Sequence, residues 1–158
     1  MLLIRDVLRE IERLAPTALQ ESYDHTGLQV GDVNQPARGA LLCVDVTEAV
    51  VDEAIAHDCN LIIAHHPLLF RPLRELTGAD YVQRCVAKAC RNDVVIYAAH
   101  TNLDNATGGV NYKLAELLGL QHTRILRPLS DGLLKLVTFV PEAHADAVRA
   151  ALADAGAG

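Results

Sequence analysis

Apolar residues near the start of the chain recur at helical spacing. Ile4, Val7, Leu8, Ile11 and Leu14 share one face, Arg and Glu occupy the other, and Pro16 follows just past the end. That period predicts an amphipathic helix over 4–14. The pattern then changes: Glu21 to Asp32 is a polar loop leading into a short strand and a Gly-Asp turn. Ala40 to Val46 is apolar and β-branched enough for a central strand, and Thr47 is a good N-cap for a helix through Val50, Val51, Ala54 and Ile55. Leu61, Ile62 and Ile63 read as a buried strand that Pro67 stops. Strand, helix and strand make a βαβ unit, which implies parallel strands joined by a right-handed crossover.

The alternation continues. Tyr81, Val82, Cys85, Val86 and Ala89 predict a helix over about 80–90, and Val94 to Ala99 is a second buried strand. Gly108 and Gly109 precede a helical pattern of Val110, Leu114, Leu117 and Leu118; without a Gly-x-Gly-x-x-Gly or Walker pattern they read as a turn rather than a phosphate loop. The predicted class is therefore α/β, a mostly parallel sheet flanked by helices over residues 1–126. From about Arg127 the character shifts. Pro128, Ser130, Asp131 and Gly132 form a turn or linker, Leu133–Val140 alternates imperfectly as a strand, and Pro141 and Glu142 open an Ala-rich helix reaching Ala155. A lone strand and helix cannot bury their own apolar faces, so residues 127–158 read as the start of a second α+β unit, cut short or packed on something another chain supplies.

Composition narrows the possibilities without choosing among them. The 158 residues are 51% hydrophobic and 22% charged, which is globular, and the net charge of -6 with scattered Lys and Arg argues against duplex nucleic acid as the main partner. An acidic or phosphorylated substrate would need help from metal ions. No run approaches the roughly eighteen apolar residues of a membrane span, and the N-terminus lacks a signal peptide's basic start and long apolar stretch, so a cytoplasmic protein is expected. Cys43, Cys59, Cys85 and Cys90 have no Cys-x-x-Cys spacing and read as reduced core thiols.

The candidate chemistry sits at strand ends. In open α/β sheets the carboxyl ends of the strands form the ligand crevice. His65 and His66 end one strand; His100 and Asp104 follow the next. Imidazole and carboxylate together suit zinc, manganese or iron, and the lack of a nearby thiolate points away from a closed structural zinc site. Neighbours on an extended backbone point to opposite sides, so His65 and His66 are expected to flank a wide, two-metal site rather than pinch one ion. Taken alone, a His-His pair is a weak motif, and one core histidine beside one exposed one is the other reading. Asp45 suits either a carboxylate that orients a metal ligand or a structural role at its strand end. Asp24 and His25 are the chemical candidates of the first loop, with local turn chemistry as the plainer reading. Phe70, Arg71, Arg74 and Glu75 have the character of a loop bordering a pocket.

Four stretches together resemble the N-terminal part of the NIF-three-like family, whose members bear the name GTP cyclohydrolase I type 2 homologue. They are Tyr23–Gly31, Val44–Ala54, Ile63–Leu68 and His100–Asp104, in family order. The resemblance implies a dinuclear metal site on an α/β core, with two zinc, iron or manganese ions. His65, His66 and Asp104 match family metal ligands, and His100 matches a position near the metals suited to holding a ligand or relaying a proton. A further histidine and glutamate belong to a C-terminal family motif with no counterpart before Gly158. His25 stands where the family usually carries asparagine. Residues 133–158 resemble the start of a smaller ferredoxin-like domain inserted in longer members. The resemblance further implies ring-shaped homohexamers with the metals facing an internal cavity.

The expected function is a metal-dependent hydrolase acting on a small molecule, either a nucleotide, in line with the cyclohydrolase name, or a phosphoester. In that reading His65, His66 and Asp104 hold metal, while His100 and Asp45 assist catalysis. The alternative is a metal-binding adaptor or metal-handling protein without turnover.

Overall fold

The computed structural model describes residues 1–126 and 136–157. The chain divides between Thr123 and Arg124 into two compact units. In the first, a four-stranded sheet has the order β1-β4-β3-β2. Strands β2 (Ala40–Cys43), β3 (Leu61–Ala64) and β4 (Val95–Ala98) are parallel, with Leu61 opposite Ala40 and Val95. Strand β1 (Gly27–Val30) lies antiparallel to β4, and the register slips between Leu28 and Val30, leaving Gln29 without a ladder partner. Gly31 closes β1 at φ +99°, and a Cβ there would stand 2.9 Å from the Cα of Val95, so only glycine lets the two strands approach.

Strand alternation splits the core into two layers. Leu61, Val95 and Tyr97 face helix α1 (Ile4–Leu14), which buries Ile4 and Leu8 against them. Ile62, Ala64 and Ile96 face α2 (Glu48–Ala56) and α3 (Tyr81–Arg91), which bury Val51, Ala54, Cys85, Val86 and Ala89. Strand β4 is buried on both sides, as a central parallel strand must be. The Thr47 hydroxyl accepts from the Val50 N–H at 3.2 Å, and the Asp80 carboxylate from the Gln83 N–H at 2.8 Å, so both sheet-covering helices begin on side-chain caps. Short helix α4 (Thr101–Asn105) and then α5 (Val110–Leu117) follow β4.

Most of the predicted helices and parallel strands form within a residue or two of the expected limits, but β2 stops at Cys43, three residues short of Val46, and the last helix starts at Ala145 rather than at Glu142. Three expectations change. Sequence pattern placed no helix over Thr101–Asn105. All four cysteines are free, but Cys90 is exposed rather than in the core. Leu136–Val140 forms no strand, although its imperfect alternation suggested one; most of these side chains are exposed, so no buried face rewards the extended pairing. The turn expected at Pro128 to Gly132 and the strand's first residues, 133–135, lie outside the described residues. In the second unit a short 3₁₀ turn (Glu142–His144) leads into α6 (Ala145–Asp154).

Candidate metal centre

Because β2, β3 and β4 are parallel, their carboxyl ends meet at one edge, and the loop that feeds the antiparallel β1 starts from that same edge. Asp45 follows β2, His65 and His66 follow β3, His100 follows β4, and Asp24 lies in the loop before β1. Asp104 sits one helical turn past His100, where its N–H bonds the His100 carbonyl at 3.1 Å.

The two adjacent histidines do not splay. Strand β3 ends at Ala64; beyond it the His65 N–H bonds the Cys43 carbonyl at 3.0 Å and the His66 N–H bonds the Val44 carbonyl at 2.9 Å. In a regular strand only alternate N–H groups face one neighbour, so two successive bonds to the same side mark a break in the pleat. The rings turn together, with centroids 5.0 Å apart, and both approach His100, at 5.2 and 5.5 Å. One ring nitrogen from each of His65, His66 and His100 lies within 4.8 Å of the others. The expectation that His65 and His66 point apart is thereby corrected, since it assumed an extended backbone that ends one residue earlier.

Each imidazole is oriented from behind. His65 Nδ1 lies 3.0 Å from the Ala99 carbonyl, His66 Nδ1 lies 2.8 Å from Asp45 Oδ1, and His100 Nδ1 lies 2.9 Å from Asp24 Oδ1. Carbonyl and carboxylate oxygens only accept, so every Nδ1 carries the proton and donates. In the neutral ring that leaves Nε2 with its lone pair free, the tautomer a metal ligand needs. Asp104 Oδ1 stands 3.9 Å from His65 Nε2 and brings a carboxylate to the same spot. Three imidazoles and a carboxylate, with no thiolate among them, form a donor set that fits a borderline divalent ion such as zinc, manganese or iron.

The supports differ in depth. The Asp24 side chain is fully enclosed. Burial pushes its carboxyl upward, yet hydrogen bonds from the Thr101 hydroxyl, the His100 ring and the His25 and Thr101 N–H groups outweigh that and hold it below the ordinary carboxylate range. Asn102, wholly buried, accepts from the His100 N–H at 2.9 Å and donates to the Ala15 carbonyl at 2.8 Å, locking this strand tip to the end of α1. Asp45, by contrast, is two-thirds exposed.

Sequence reasoning underrated Asp24, treating it as a turn residue. It does bond the local His25 N–H, but its main partners lie 76 and 77 residues away. A carboxylate three residues before the strand that pairs with the His100 strand is the signal that pointed to it. His25 is outside the cluster: its Nδ1 bonds the Leu69 carbonyl at 2.8 Å. Gln29, freed by the bulge, donates to the His25 carbonyl and accepts from the Leu69 N–H, both at 2.9 Å. Together they tie the segment after His66 to the Asp24 loop. A surface hollow of about 360 Å³ lies apart from the cluster, between Leu76–Gly78 and α3, where Arg84 and Lys88 are paired with Glu48 and Asp52.

The family model Duf34/NIF3 (NGG1p interacting factor 3) matches residues 2–156. A protein of Halalkalibacterium halodurans named GTP cyclohydrolase 1 type 2 homolog is 46% identical over 153 residues, covering 96% of this chain and 41% of that protein. Its namesake in Bacillus subtilis is 43% identical over 155 residues, 98% of this chain and 42% of that one. Among solved structures, a Bacillus cereus protein related to NIF3 superposes with a TM-score of 0.77 at 43% identity, covering 98% of this chain and 43% of that chain. The chain thus spans about two-fifths of the length of these relatives.

Proposed function

The chain belongs to the Duf34/NIF3 family, and from that premise we propose that its histidine cluster holds divalent metal in a water-activating hydrolase centre. The observation that carries this reading is the common orientation of His65, His66 and His100, each with Nδ1 committed to an acceptor and Nε2 left free beside the Asp104 carboxylate. Such an arrangement is the one metal-binding histidines adopt. In this reading His65, His66 and Asp104 are ligands, and His100, close enough to share the metal, holds or relays a proton on a bound water. Asp45 holds His66 in its tautomer. Bound metal would lower the pKa of its water and polarise the substrate oxygen.

The names of the relatives point toward a nucleotide substrate; phosphoester hydrolysis uses the same elements. Two ions, as the family resemblance implies, would supply the charge that stabilises the developing anion, with His65, His66 and Asp104 among the residues holding them. A non-catalytic, metal-holding role, in a ring of like subunits or as an adaptor, is favoured by one observation. Asp24 and Asp45 are both spent on histidine Nδ1 atoms, whereas Asp104 has no such bond among the described residues.

Metal content decides first. Purified without added metal, the wild-type chain is expected to carry zinc, manganese or iron, and His65→Ala to lose at least tenfold in affinity while keeping its circular dichroism. A folded His65→Ala chain with undiminished metal would overturn the ligand assignment. Metal binding without turnover on any nucleotide or phosphoester would favour the adaptor.

A further inference from the structure

The loops at the cluster's edge carry a strongly asymmetric charge. Before β1 they supply Glu21 and Asp24, after β2 Asp45, and after β4 Asp104, with no Lys or Arg in any of the three. The β3–α3 loop alone supplies cations, Arg71 and Arg74, together with Glu75 and, at the cap of α3, Asp80. Both arginines are exposed, and among the described residues neither meets a carboxylate, whereas Arg38, Arg84 and Lys88 all have ion-pair partners.

The loop's anchoring suits it to reach for something. On the cluster side Leu68 is buried, and Leu69 is held through both its N–H and its carbonyl by Gln29 and His25. At the far side Gln83 Oε1 accepts from the Thr77 N–H at 2.8 Å, the Thr77 hydroxyl and Gly78 N–H at 3.0 Å, and the Ala79 N–H at 3.3 Å. Between these clamps residues 70–76 make no hydrogen bond among the described residues, and all are exposed. Two guanidinium groups are therefore held on a short tether that starts at the cluster. Arg71 stands five positions after His66 and Arg74 eight, so their Cα atoms lie no more than about 18 and 29 Å from that of His66. A carboxylate-rich site repels an anionic substrate, and unpaired arginines on a loop tethered to it would offset that repulsion.

We propose that Arg71 and Arg74 form the anion-recognition element of this centre and that its substrate is a phosphate-bearing small molecule. Arginine presents fixed, forked donors that bind phosphoryl oxygens bidentately, and an exposed guanidinium with no partner gives up only hydration to do so. The proposal rests on the metal-centre reading for the fate of the substrate, but binding of the anion by the arginines is separable from it.

Titration calorimetry of the 158-residue chain with inorganic pyrophosphate, zinc-loaded and after chelation, tests the assignment. The Arg71→Gln/Arg74→Gln double variant is expected to lose at least tenfold in pyrophosphate affinity with zinc stoichiometry unchanged. Arg91→Gln, removing an exposed arginine on α3, should leave both unchanged. Binding should weaken as salt rises. Equal pyrophosphate affinity in the double variant and the wild type overturns the proposal, as does absence of pyrophosphate binding in the zinc-loaded wild type. Citrate binding as tightly as pyrophosphate, with the same arginine dependence, overturns the phosphoryl assignment. Arginine-dependent pyrophosphate binding in a chain that takes up no metal would support the arginine assignment while removing the hydrolase reading.

Discussion

Two Asp–His pairs orient rings of the cluster at nearly the same distance, 2.9 Å for Asp24–His100 and 2.8 Å for Asp45–His66, yet they occupy opposite environments. In the first the carboxylate has no exposed side-chain surface and the imidazole 19%; in the second the figures are 67% and 49%. Equal geometry does not mean equal energy. Water screens the open pair, whereas the enclosed pair has exchanged its hydration for fixed donors and depends on all of them being present. One side of the cluster is thus a rigid wall and the other an adjustable one.

The largest expected effect follows from removing the enclosed carboxylate. Asp24→Ala leaves the part-buried His100 Nδ1–H, Thr101 hydroxyl and Thr101 N–H without their acceptor, and should cost about 3–4 kcal/mol in chemical denaturation. A loss under about 1 kcal/mol would mean that water replaces the carboxylate and that the wall is not rigid. Asn102→Ala, which unties His100 from α1, should cost about 2 kcal/mol by the same measurement.

The pairs should also part company in acid. Asp24 has its carboxyl held below the ordinary value of 3.8 when folded, so its contribution is complete above that value and disappears as pH falls through the lower folded one. In the chelated chain, the stability gap between wild type and Asp24→Asn should be constant near neutrality and close below about pH 4. A gap that stays open in strong acid would contradict the assignment. The smallest effect is Asp45→Ala, expected to cost under about 1 kcal/mol of stability. It should nonetheless lower metal affinity about tenfold, because His66 then loses the partner that fixes its tautomer. Asp45→Ala as damaging to stability as Asp24→Ala would erase the distinction between the two walls.

The same contrast marks what was legible in the sequence. The Asp45–His66 side lies within one βαβ unit whose strands, Thr47 cap and apolar period are all local signals, and so its layout could be read directly. The Asp24–His100 side is made by an antiparallel edge strand, a bulge and the five-residue helix α4, none of which leaves a period in the chain. His65 and His66 were identified by type and place, but not by direction. Strand periodicity ends where the pleat breaks, and only the bonds to Cys43 and Val44 reveal that it does. Asp104 was expected at the tip of the His100 strand, and it stands instead on helix α4, one turn past His100.

The 21 residues between Asp45 and His66 and the 76 between Asp24 and His100 also bear on how the centre comes into being. Closing the longer span costs about 1 kcal/mol more chain entropy than closing the shorter. During synthesis from the N-terminus, the β2–α2–β3 segment can therefore present His66 with its carboxylate while His100 has yet to be made. The centre would assemble in two stages. An open half carrying His65 and His66 comes first, and the enclosed half built from Asp24 and His100 closes on it afterwards.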